Sequence, residues 1–190
     1  MNKEKWILIF FLLVFSSLFA QKKTKNKVID IPKTEELAQK GIKWMTMQEA
    51  LNANANSKKK ILIDFYTDWC GWCKKMDAST YEDPKIIQYI NKNYYAVKFN
   101  AERGEPILFN GKEYKMQFNG NRGTHELAVH LLNGRMGYPS TTFLNENLGM
   151  IQSVPGYIQS NEMFMNLNYF SLDKYKTIPF EQFQKEFNTN

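Results

Sequence analysis

The stretch Trp-Cys-Gly-Trp-Cys-Lys-Lys-Met, residues 69 to 76, is the most informative part of the sequence for predicting the fold. It contains Cys70 and Cys73, which are the only two cysteines of the chain. Residues 61 to 66 before it have the composition of a strand, and the residues after it that of a helix. A Cys-x-x-Cys pair at a helix start places its first sulfur beside unpaired backbone N–H groups, where the helix dipole favours the thiolate. The thiolate attacks disulfides, so this context favours redox chemistry.

Three interpretations of the cysteine pair compete. A zinc site needs about four ligands, and the chain adds only His125 and His130, whose spacing of five does not share a helix face. A purely structural bridge between Cys70 and Cys73 would close a very short loop and constrain the unfolded chain by only about 2 kcal/mol. We therefore favour a redox-active pair, and we expect neither a metal nor a cofactor.

Composition favours one packed domain. The chain has 190 residues, of which 43% are apolar and 15% aromatic, enough to bury a core. Its net charge of +6 is spread along the sequence, with lysines in the polar stretch 21 to 40 and again at 58 to 60. Nucleic-acid binding would need a basic face with interleaved aromatic or groove-reading elements. We therefore interpret these lysines as solvated charge and expect no nucleic-acid partner.

The amino terminus has the layout of a secretory signal. Lys3 and Lys5 precede an apolar run, Trp6 to Phe15, and small residues lead to Ala20. An uncleaved anchor is the alternative, but a helix over residues 6 to 20 would span about 22 Å, short of the roughly 30 Å hydrocarbon core. We expect a signal peptide at 1–20, a flexible leader at 21–40, a domain at 41–190, and a periplasmic or otherwise exported protein.

The first half of the domain predicts a β-α-β-α-β order. The expected elements are a strand at 41–44, a helix from the Thr46 and Glu49 capping box to about residue 55, a central strand at 61–66, a helix after the cysteines, a helix at 85–91 opened by Asp83-Pro84, and a strand at 94–100. This order is typical of a parallel sheet with covering helices. Chemistry in such sheets is usually found at the carboxyl ends of the strands.

The sequence of the second half of the domain predicts a β-hairpin and, later in the chain, two antiparallel strands joined by a turn. Residues 107–109 and 112–118 flank Asn110-Gly111, which suits a tight hairpin turn. Thr124 is expected to cap the next helix, with His125 and His130 at its ordinary surface or core edge. A strand to residue 144, a turn at 145–149, an antiparallel strand at 150–154 and helices at 161–170 and 180–187 complete the chain.

Asp64 interrupts the apolar run of the predicted central strand. A carboxylate in a buried strand is costly unless it is paired or used. One interpretation is an edge position that faces solvent. The other is a buried acid beneath Cys70, whose pKa is raised by desolvation and which relays a proton to the resolving thiol.

The chain resembles the thioredoxin superfamily over about residues 41 to 172. The resemblance is carried by residues 64–74 (Asp-Phe-Tyr-Thr-Asp-Trp-Cys-Gly-Trp-Cys-Lys), 97–100 (Val-Lys-Phe-Asn), 137–141 (Gly-Tyr-Pro-Ser-Thr) and Gly156. It implies a thioredoxin fold, a central mixed β-sheet flanked by helices, with a hairpin-containing insertion at 101–123 before the cis-proline strand and a C-terminal helical extension at 173–190. The sequence around the cysteines is most similar to exported thioredoxin-like proteins and to the carboxyl-terminal domain of the Dsb-type transmembrane thiol reductase.

The resemblance also implies roles for individual residues. Cys70 would be the attacking thiol, Cys73 the resolving thiol, Asp64 the buried acid and Lys98 its neighbour. Pro139 would be a cis-proline facing the disulfide, so that Tyr138 offers its backbone N–H and C=O to an incoming polypeptide. Trp69, Gly71 and Trp72 complete the expected substrate-binding set, although an isolated tryptophan such as Trp69 could equally belong to the core.

Two features depart from cytosolic thioredoxins. Gly71-Trp72 replaces the Gly-Pro between the cysteines, which changes thiol pKa and redox poise. The stretch 101–123 is longer than the compact fold requires, and it is either a partner-specific rim beside Pro139 or a neutral surface loop.

We expect an exported thiol-disulfide oxidoreductase that reduces disulfide-bearing exported proteins. The chain has no flavin or nicotinamide fingerprint, so a membrane thiol reductase would have to supply electrons. A disulfide oxidase or isomerase would run the same chemistry in the other direction. A thioredoxin-fold binding module with little redox turnover is the alternative of a different class. We expect a monomer.

Overall fold

The computed structural model describes residues 41–188, so the signal peptide and leader expected at 1–20 and 21–40 lie outside the described residues. The strands are β1 (Trp44–Met45), β2 (Lys60–Tyr66), β3 (Tyr94–Asn100), β4 (Ile107–Phe109), β5 (Lys112–Tyr114), β6 (Met116–Asn119), β7 (Arg122–His125), β8 (Ser140–Leu144) and β9 (Met150–Pro155). The α-helices are α1 (Met47–Asn56), α2 (Gly71–Asp77), α3 (Pro84–Asn93), α4 (Glu126–Leu131), α5 (Ser160–Ser171) and α6 (Phe180–Asn188). Short 3-10 turns lie at Thr80–Glu82 and Lys174–Lys176.

A five-stranded sheet with the order β1-β3-β2-β8-β9 forms the centre of the described region. β3 is parallel to both β1 and β2, as the β-α-β-α-β order predicts. β8 is antiparallel to β2, and β9 is antiparallel to β8. The sheet is therefore mixed. Its middle strand is β2, whose near-continuous apolar sequence suits a strand covered on both faces.

The alternation of side chains along β2 sorts its residues between two cores. Ile61, Ile63 and Phe65 pack with residues of α1 and α4 on one face of the sheet. Leu62 packs with residues of α2, α3 and α5 on the other face. Asp64 is two residues from Leu62, so its side chain lies on the same face as Leu62, beneath the helices that follow the cysteines.

Local helix-start signals are confirmed. Thr46 Oγ1 accepts the Glu49 N–H at 3.2 Å, and the Glu49 carboxylate accepts the Thr46 N–H at 2.7 Å, which is the predicted capping box of α1. Asp83 accepts the Lys85 N–H at 2.9 Å, with Pro84 in the first helical position of α3. Each motif joins residues within one turn, so it does not depend on the rest of the fold.

The first strand begins later than predicted. The sequence favours a strand at 41–44, but β1 contains only Trp44 and Met45. Gly41 has a φ of +89°, and the Trp44 N–H bonds the Ile42 carbonyl at 2.9 Å. The chain therefore turns tightly before Trp44, which prevents the earlier residues from pairing with β3.

The insertion contains two hairpins where the sequence predicted one. β4 and β5 pair across Asn110-Gly111 as expected, with φ values of +50° and +78° at the two turn residues. The predicted second arm, 112–118, is divided at Lys115, whose N–H bonds the Glu126 carboxylate at 2.9 Å instead of continuing the ladder. Beyond that point β6 pairs with β7 in a second hairpin.

His125, and not Thr124, caps α4. The predicted cap is displaced by one residue because β7 continues to His125, which pairs with Met116 of β6, so that α4 begins only at Glu126. His125 Nδ1 accepts the Leu127 N–H at 3.1 Å, and its Nε2 lies 3.1 Å from the Glu105 carbonyl oxygen. The side chain of His125 is fully buried and not at an ordinary helix surface or core edge, whereas His130 is exposed on α4 as expected.

Candidate active site

Cys70 and Cys73 form a disulfide at the start of α2, with their Cα atoms 5.3 Å apart. Cys70 is the N-cap residue of this helix, and its Sγ accepts the Cys73 N–H at 3.0 Å. The two residues are only 4% and 2% exposed. A backbone donor that would stabilise a thiolate at Cys70 is therefore already directed at the sulfur, at the positive end of the helix dipole.

The site lies at the carboxyl end of β2. β2 ends at Tyr66, and the Cys70 N–H bonds the Thr67 carbonyl at 3.2 Å, which turns the chain from the strand into α2. The Ala101 N–H bonds the Tyr66 carbonyl at 2.9 Å, so the chain after β3 follows the same edge. In parallel strands such as β2 and β3, ligand and catalytic sites are usually found at this carboxyl end.

Asp64 is buried and paired, which confirms the buried interpretation over the solvent-facing one. It is 1% exposed, and its Oδ2 lies 2.5 Å from Lys98 Nζ, its register partner on β3. Lys98 also forms an ion pair with Asp77. Asp77 follows Cys73 by four residues on α2, so the two side chains share one face of the helix. Lys98 thus connects the buried carboxyl to the helix that carries the disulfide.

Burial and the neighbouring charges have opposite effects on the pKa values of Asp64 and Lys98. Burial raises the pKa of Asp64 above its ordinary value, and the opposing charge and hydrogen bond of Lys98 do not cancel it. Burial by itself would lower the pKa of Lys98, but the charges of Asp64 and Asp77 outweigh it and leave that pKa raised. The site therefore holds a cation that stays charged beside a carboxyl that retains its proton more strongly than usual.

Three aromatic rings surround the Lys98 ammonium group. Its Nζ lies 5.0 Å from the ring centroid of Trp44, 5.2 Å from that of Tyr66 and 5.3 Å from that of Tyr81. Ring faces attract cations, and this attraction is stronger where water is excluded. The rings therefore help to keep Lys98 in place with only 21% of its side chain exposed.

Two exposed indoles flank the disulfide. Trp69 is 68% exposed, lies edge-on to Tyr138 at 6.1 Å between ring centroids, and donates its Nε1–H to the Glu102 carboxylate at 2.9 Å. Trp72 is 57% exposed, and its ring lies 5.6 Å from that of Tyr157. Trp69 is therefore a surface residue and not part of the core. A Cβ added at Gly71, between the two cysteines, would meet no atom within 4 Å.

The Tyr138-Pro139 peptide bond is cis, as the resemblance implies. It directly precedes β8, and the Pro139 carbonyl accepts the Gly156 N–H at 2.8 Å, which ties this turn to the end of β9. Burial, followed by the negative charge of Glu102, raises the pKa of Tyr138 to about 12, so its hydroxyl stays neutral at physiological pH.

Several contacts of the site were missed from the sequence. Of these residues, Asp77 could have been found from the sequence, because it follows Cys73 by four residues on a predicted helix and so shares its face. Glu102 and Tyr81 reach the site from segments whose placement depends on the tertiary fold. Among residues 41–188, no group of three His, Cys, Asp or Glu side chains is arranged to hold a metal ion. None of the described helices is long and apolar enough to cross a bilayer.

A match to a protein family covers most of the described domain. Residues 47–171 match the model of the thioredoxin-like domain family. Curated relatives match shorter stretches: a protein disulfide-isomerase of Schizosaccharomyces pombe is 43% identical over 47 residues, and the thiol:disulfide interchange protein DsbD of Vibrio vulnificus is 38% identical over 59 residues. These alignments cover 25% and 31% of this chain but only 13% and 10% of the relatives' own lengths.

Solved structures support the fold. A thioredoxin from Thermus thermophilus superposes with a TM-score of 0.53 at 18% identity, over 70% of this chain and 89% of the other. A putative disulphide-isomerase from Bacteroides thetaiotaomicron gives 0.50 at 19% identity, over 72% and 98%. At such identities the likeness concerns the fold alone, and the fold is the predicted thioredoxin fold. The Cys70–Cys73 pair supports a thiol-disulfide oxidoreductase, and the family match over residues 47–171 means that this chain belongs to the thioredoxin-like domain family.

Proposed function

We propose that this protein is an exported thiol-disulfide oxidoreductase that reduces disulfides in exported proteins. The observation that carries the proposal is the position of Cys70 as the N-cap of α2, with the Cys73 N–H 3.0 Å from its sulfur. That arrangement favours a thiolate at Cys70. A buried carboxyl, Asp64, lies on the sheet face that α2 covers.

The proposed reaction exchanges one disulfide for another. The Cys70 thiolate attacks a substrate disulfide, forms a mixed disulfide, and releases one substrate sulfur as a thiolate that takes a proton from solvent. Cys73 then gives its proton to the Asp64 carboxylate and attacks Cys70 Sγ, which releases the second substrate sulfur as a thiolate. That thiolate takes a proton from solvent, and Asp64 returns its proton to solvent. The substrate disulfide gains two electrons, and the Cys70–Cys73 dithiol loses two.

The exposed groups around the disulfide are the proposed docking surface for the substrate chain. Tyr138, held by the cis bond to Pro139, supplies its backbone N–H and C=O beside β8 for an extended polypeptide. Trp69 and Trp72 supply exposed aromatic surface, and Gly71 leaves the approach between them open.

A reductase outside the cytoplasm needs a source of electrons. We propose a membrane thiol reductase as the donor, which the local similarity to thiol:disulfide interchange protein DsbD supports. The layout of residues 1–20 supports export to the periplasm or a comparable compartment. The working protein is proposed to be a monomer.

The reduction potential of the Cys70–Cys73 pair tests the direction of the reaction. Equilibration against glutathione and dithiothreitol buffers, with Trp69 and Trp72 fluorescence as the signal, should give a value near −270 mV if the protein is a reductase. A value near −120 mV would instead identify an oxidase.

Trapping tests the chemistry itself. The Cys73→Ser variant should accumulate substrates as mixed disulfides on Cys70, because the resolving thiol is absent. The double variant Cys70→Ser, Cys73→Ser is the matched control and should trap none. If the double variant keeps its partners and its phenotype, the protein is a binding module and the proposed activity is wrong.

A further inference from the structure

Three buried polar atoms around the Asp64 carboxyl have no hydrogen-bond partner within residues 41–188. They are Asp64 Oδ1, the Tyr81 hydroxyl oxygen and Thr141 Oγ1. Tyr81 is 3% exposed and Thr141 is fully buried. A buried polar group without a partner destabilises the folded state. Such groups are rare in native structures, and a cluster of them at one site calls for a functional explanation.

The strand register and the ion pairs bring these residues together. Thr141 is the register partner of Asp64 on β8, as Lys98 is on β3, so β2 holds the carboxyl between a hydroxyl and a cation. Lys98 Nζ lies 2.5 Å from Asp64 Oδ2 and 5.3 Å from the Tyr81 ring centroid. One carboxyl oxygen of Asp64 is therefore occupied by Lys98, whereas the other is left for the two hydroxyl groups.

The placement of Tyr81 is rigid. Its ring packs edge-on against Trp44 with 4.9 Å between ring centroids, and it belongs to the buried cluster on the α2 face of the sheet. Burial raises the pKa of its hydroxyl well above the ordinary value, and the negative charge of Asp64 raises it further. Tyr81 therefore remains a neutral hydrogen-bond donor at every pH at which the protein would work.

We infer that Tyr81 is a positioning residue for the proton transfer at Cys73: its hydroxyl donates a hydrogen bond to Asp64 Oδ1 whenever the carboxyl is charged. The inference rests on the proposed function, in which Asp64 accepts the proton of Cys73. This hydrogen bond favours the charged carboxylate that can accept the proton.

The charged groups that face Asp64 determine the sign of the effect. Lys98 from β3 favours the carboxylate, Asp77 from α2 disfavours it, and the Tyr81 hydroxyl favours it by donating to the charged form. The Cys73 thiol of α2 is the group with which the proton is exchanged in the proposed reaction. Removing the Tyr81 hydroxyl should therefore raise the pKa of Asp64 and make it a less available base at a given pH.

The test is a carboxyl ¹³C NMR titration of Asp64 in the full, reduced protein. Tyr81→Phe keeps the ring and removes only the hydroxyl, so we expect the Asp64 pKa to rise by about one unit. The matched control is Tyr94→Phe, which removes a buried tyrosine hydroxyl in the same cluster that bonds the Leu167 carbonyl at 2.7 Å. It should leave the Asp64 titration unchanged.

A kinetic measurement links the titration to the reaction. The pH profile of mixed-disulfide resolution should move to higher pH in Tyr81→Phe by the same amount as the NMR titration. Thr141→Val provides a second variant if Tyr81→Phe does not fold, and it should move the titration in the same direction by a smaller amount.

The outcomes separate the inference from the proposed function. An unchanged Asp64 pKa in Tyr81→Phe, or an equal shift in Tyr94→Phe, overturns the role of Tyr81 even if turnover is normal. A protein without turnover refutes the proposed function, but the titration needs no substrate and still decides whether the hydrogen bond exists.

Discussion

Asp64 lies in a site that is only 1% exposed, with one oxygen held by Lys98 and the other unpartnered. Its pKa is raised in the folded protein, with burial as the largest cause, so the folded state binds the proton more tightly than the unfolded chain. The stability that protonation contributes is therefore present below the unfolded pKa, and it is lost as pH rises through the folded pKa.

Replacing Asp64 by Asn should make the oxidised protein more stable at pH 8. The amide carries no charge that burial can penalise, and each unit by which the folded pKa exceeds the unfolded one corresponds to about 1.4 kcal/mol. Urea unfolding at pH 4.5 and pH 8 measures the difference. The advantage of Asp64→Asn over the wild type should grow between the two pH values.

Asp77→Asn is the control for this prediction, because Asp77 shares the partner Lys98 but its side chain is 44% exposed. We expect a smaller stability change from this variant, since an exposed ion pair contributes little. An advantage of Asp64→Asn that is constant with pH, or that shrinks at pH 8, would contradict the assignment of a raised pKa to Asp64.

At the scale of elements, the insertion is tied to the active site. Glu102 accepts the Trp69 Nε1–H at 2.9 Å, and Arg103 forms an ion pair with Asp68. A Cβ added at Gly123 of β7 would lie 3.1 Å from the Glu102 carbonyl oxygen, so the second hairpin packs against the same segment. These contacts favour the partner-specific rim over the neutral loop, and we propose that the insertion positions Trp69 for substrate.

Glu102→Ala should weaken substrate binding without changing the redox chemistry. It removes the acceptor that orients the Trp69 indole, and a typical hydrogen bond contributes about 0.5–1.5 kcal/mol. We expect KM for a disulfide-bearing polypeptide to rise about fivefold to tenfold, with the reduction potential unchanged.

Glu113→Ala is the matched control, because it removes an exposed acid from β5 of the first hairpin. Steady-state kinetics of both variants with one polypeptide substrate decides the question. If the two variants behave alike, the insertion does not act through Trp69 and the neutral-loop interpretation is correct.

At the scale of the whole molecule, the C-terminal extension completes a core. Phe183 of α6 is 5% exposed, and its ring lies 5.1 Å from that of Tyr169 on α5. Lys60, at the start of β2, is almost fully buried and pairs with Glu146 at 2.6 Å and Asp173 at 3.1 Å. The extension therefore covers α5 and supplies one of the two carboxylates that hold a buried cation.

A chain that ends at Leu172 should be less stable by about 3 kcal/mol or more. Burial of one phenylalanine contributes about 1.5–3 kcal/mol, and Lys60 loses one of its two partners. Urea unfolding of the oxidised protein measures the loss. Phe183→Ala tests the apolar part separately, and an unchanged midpoint in both variants would show that the extension does not stabilise the domain.

Short-range patterns in the sequence predicted most of the fold. The Thr46 capping box, the Asp83-Pro84 helix start and the Asn110-Gly111 turn are all confirmed, because each depends on residues within one turn of the chain. His125 shows where this fails. Thr124 has the better composition for a cap, but the pairing of β6 with β7 extends one residue further, so the helix starts after His125 and His125 caps it.

The sequence alone predicted the Cys-x-x-Cys at a helix start, the strand that carries Asp64 and the order of the elements around them. These features follow from residue type and spacing along the chain. The tertiary fold was needed to show that Lys98 joins Asp64 to Asp77, that Tyr81 lies beside the Asp64 carboxyl, and that Glu102 orients Trp69. The reason is that strand register and the paths of loops bring together groups from 13 to 34 positions apart, and no local pattern encodes those encounters.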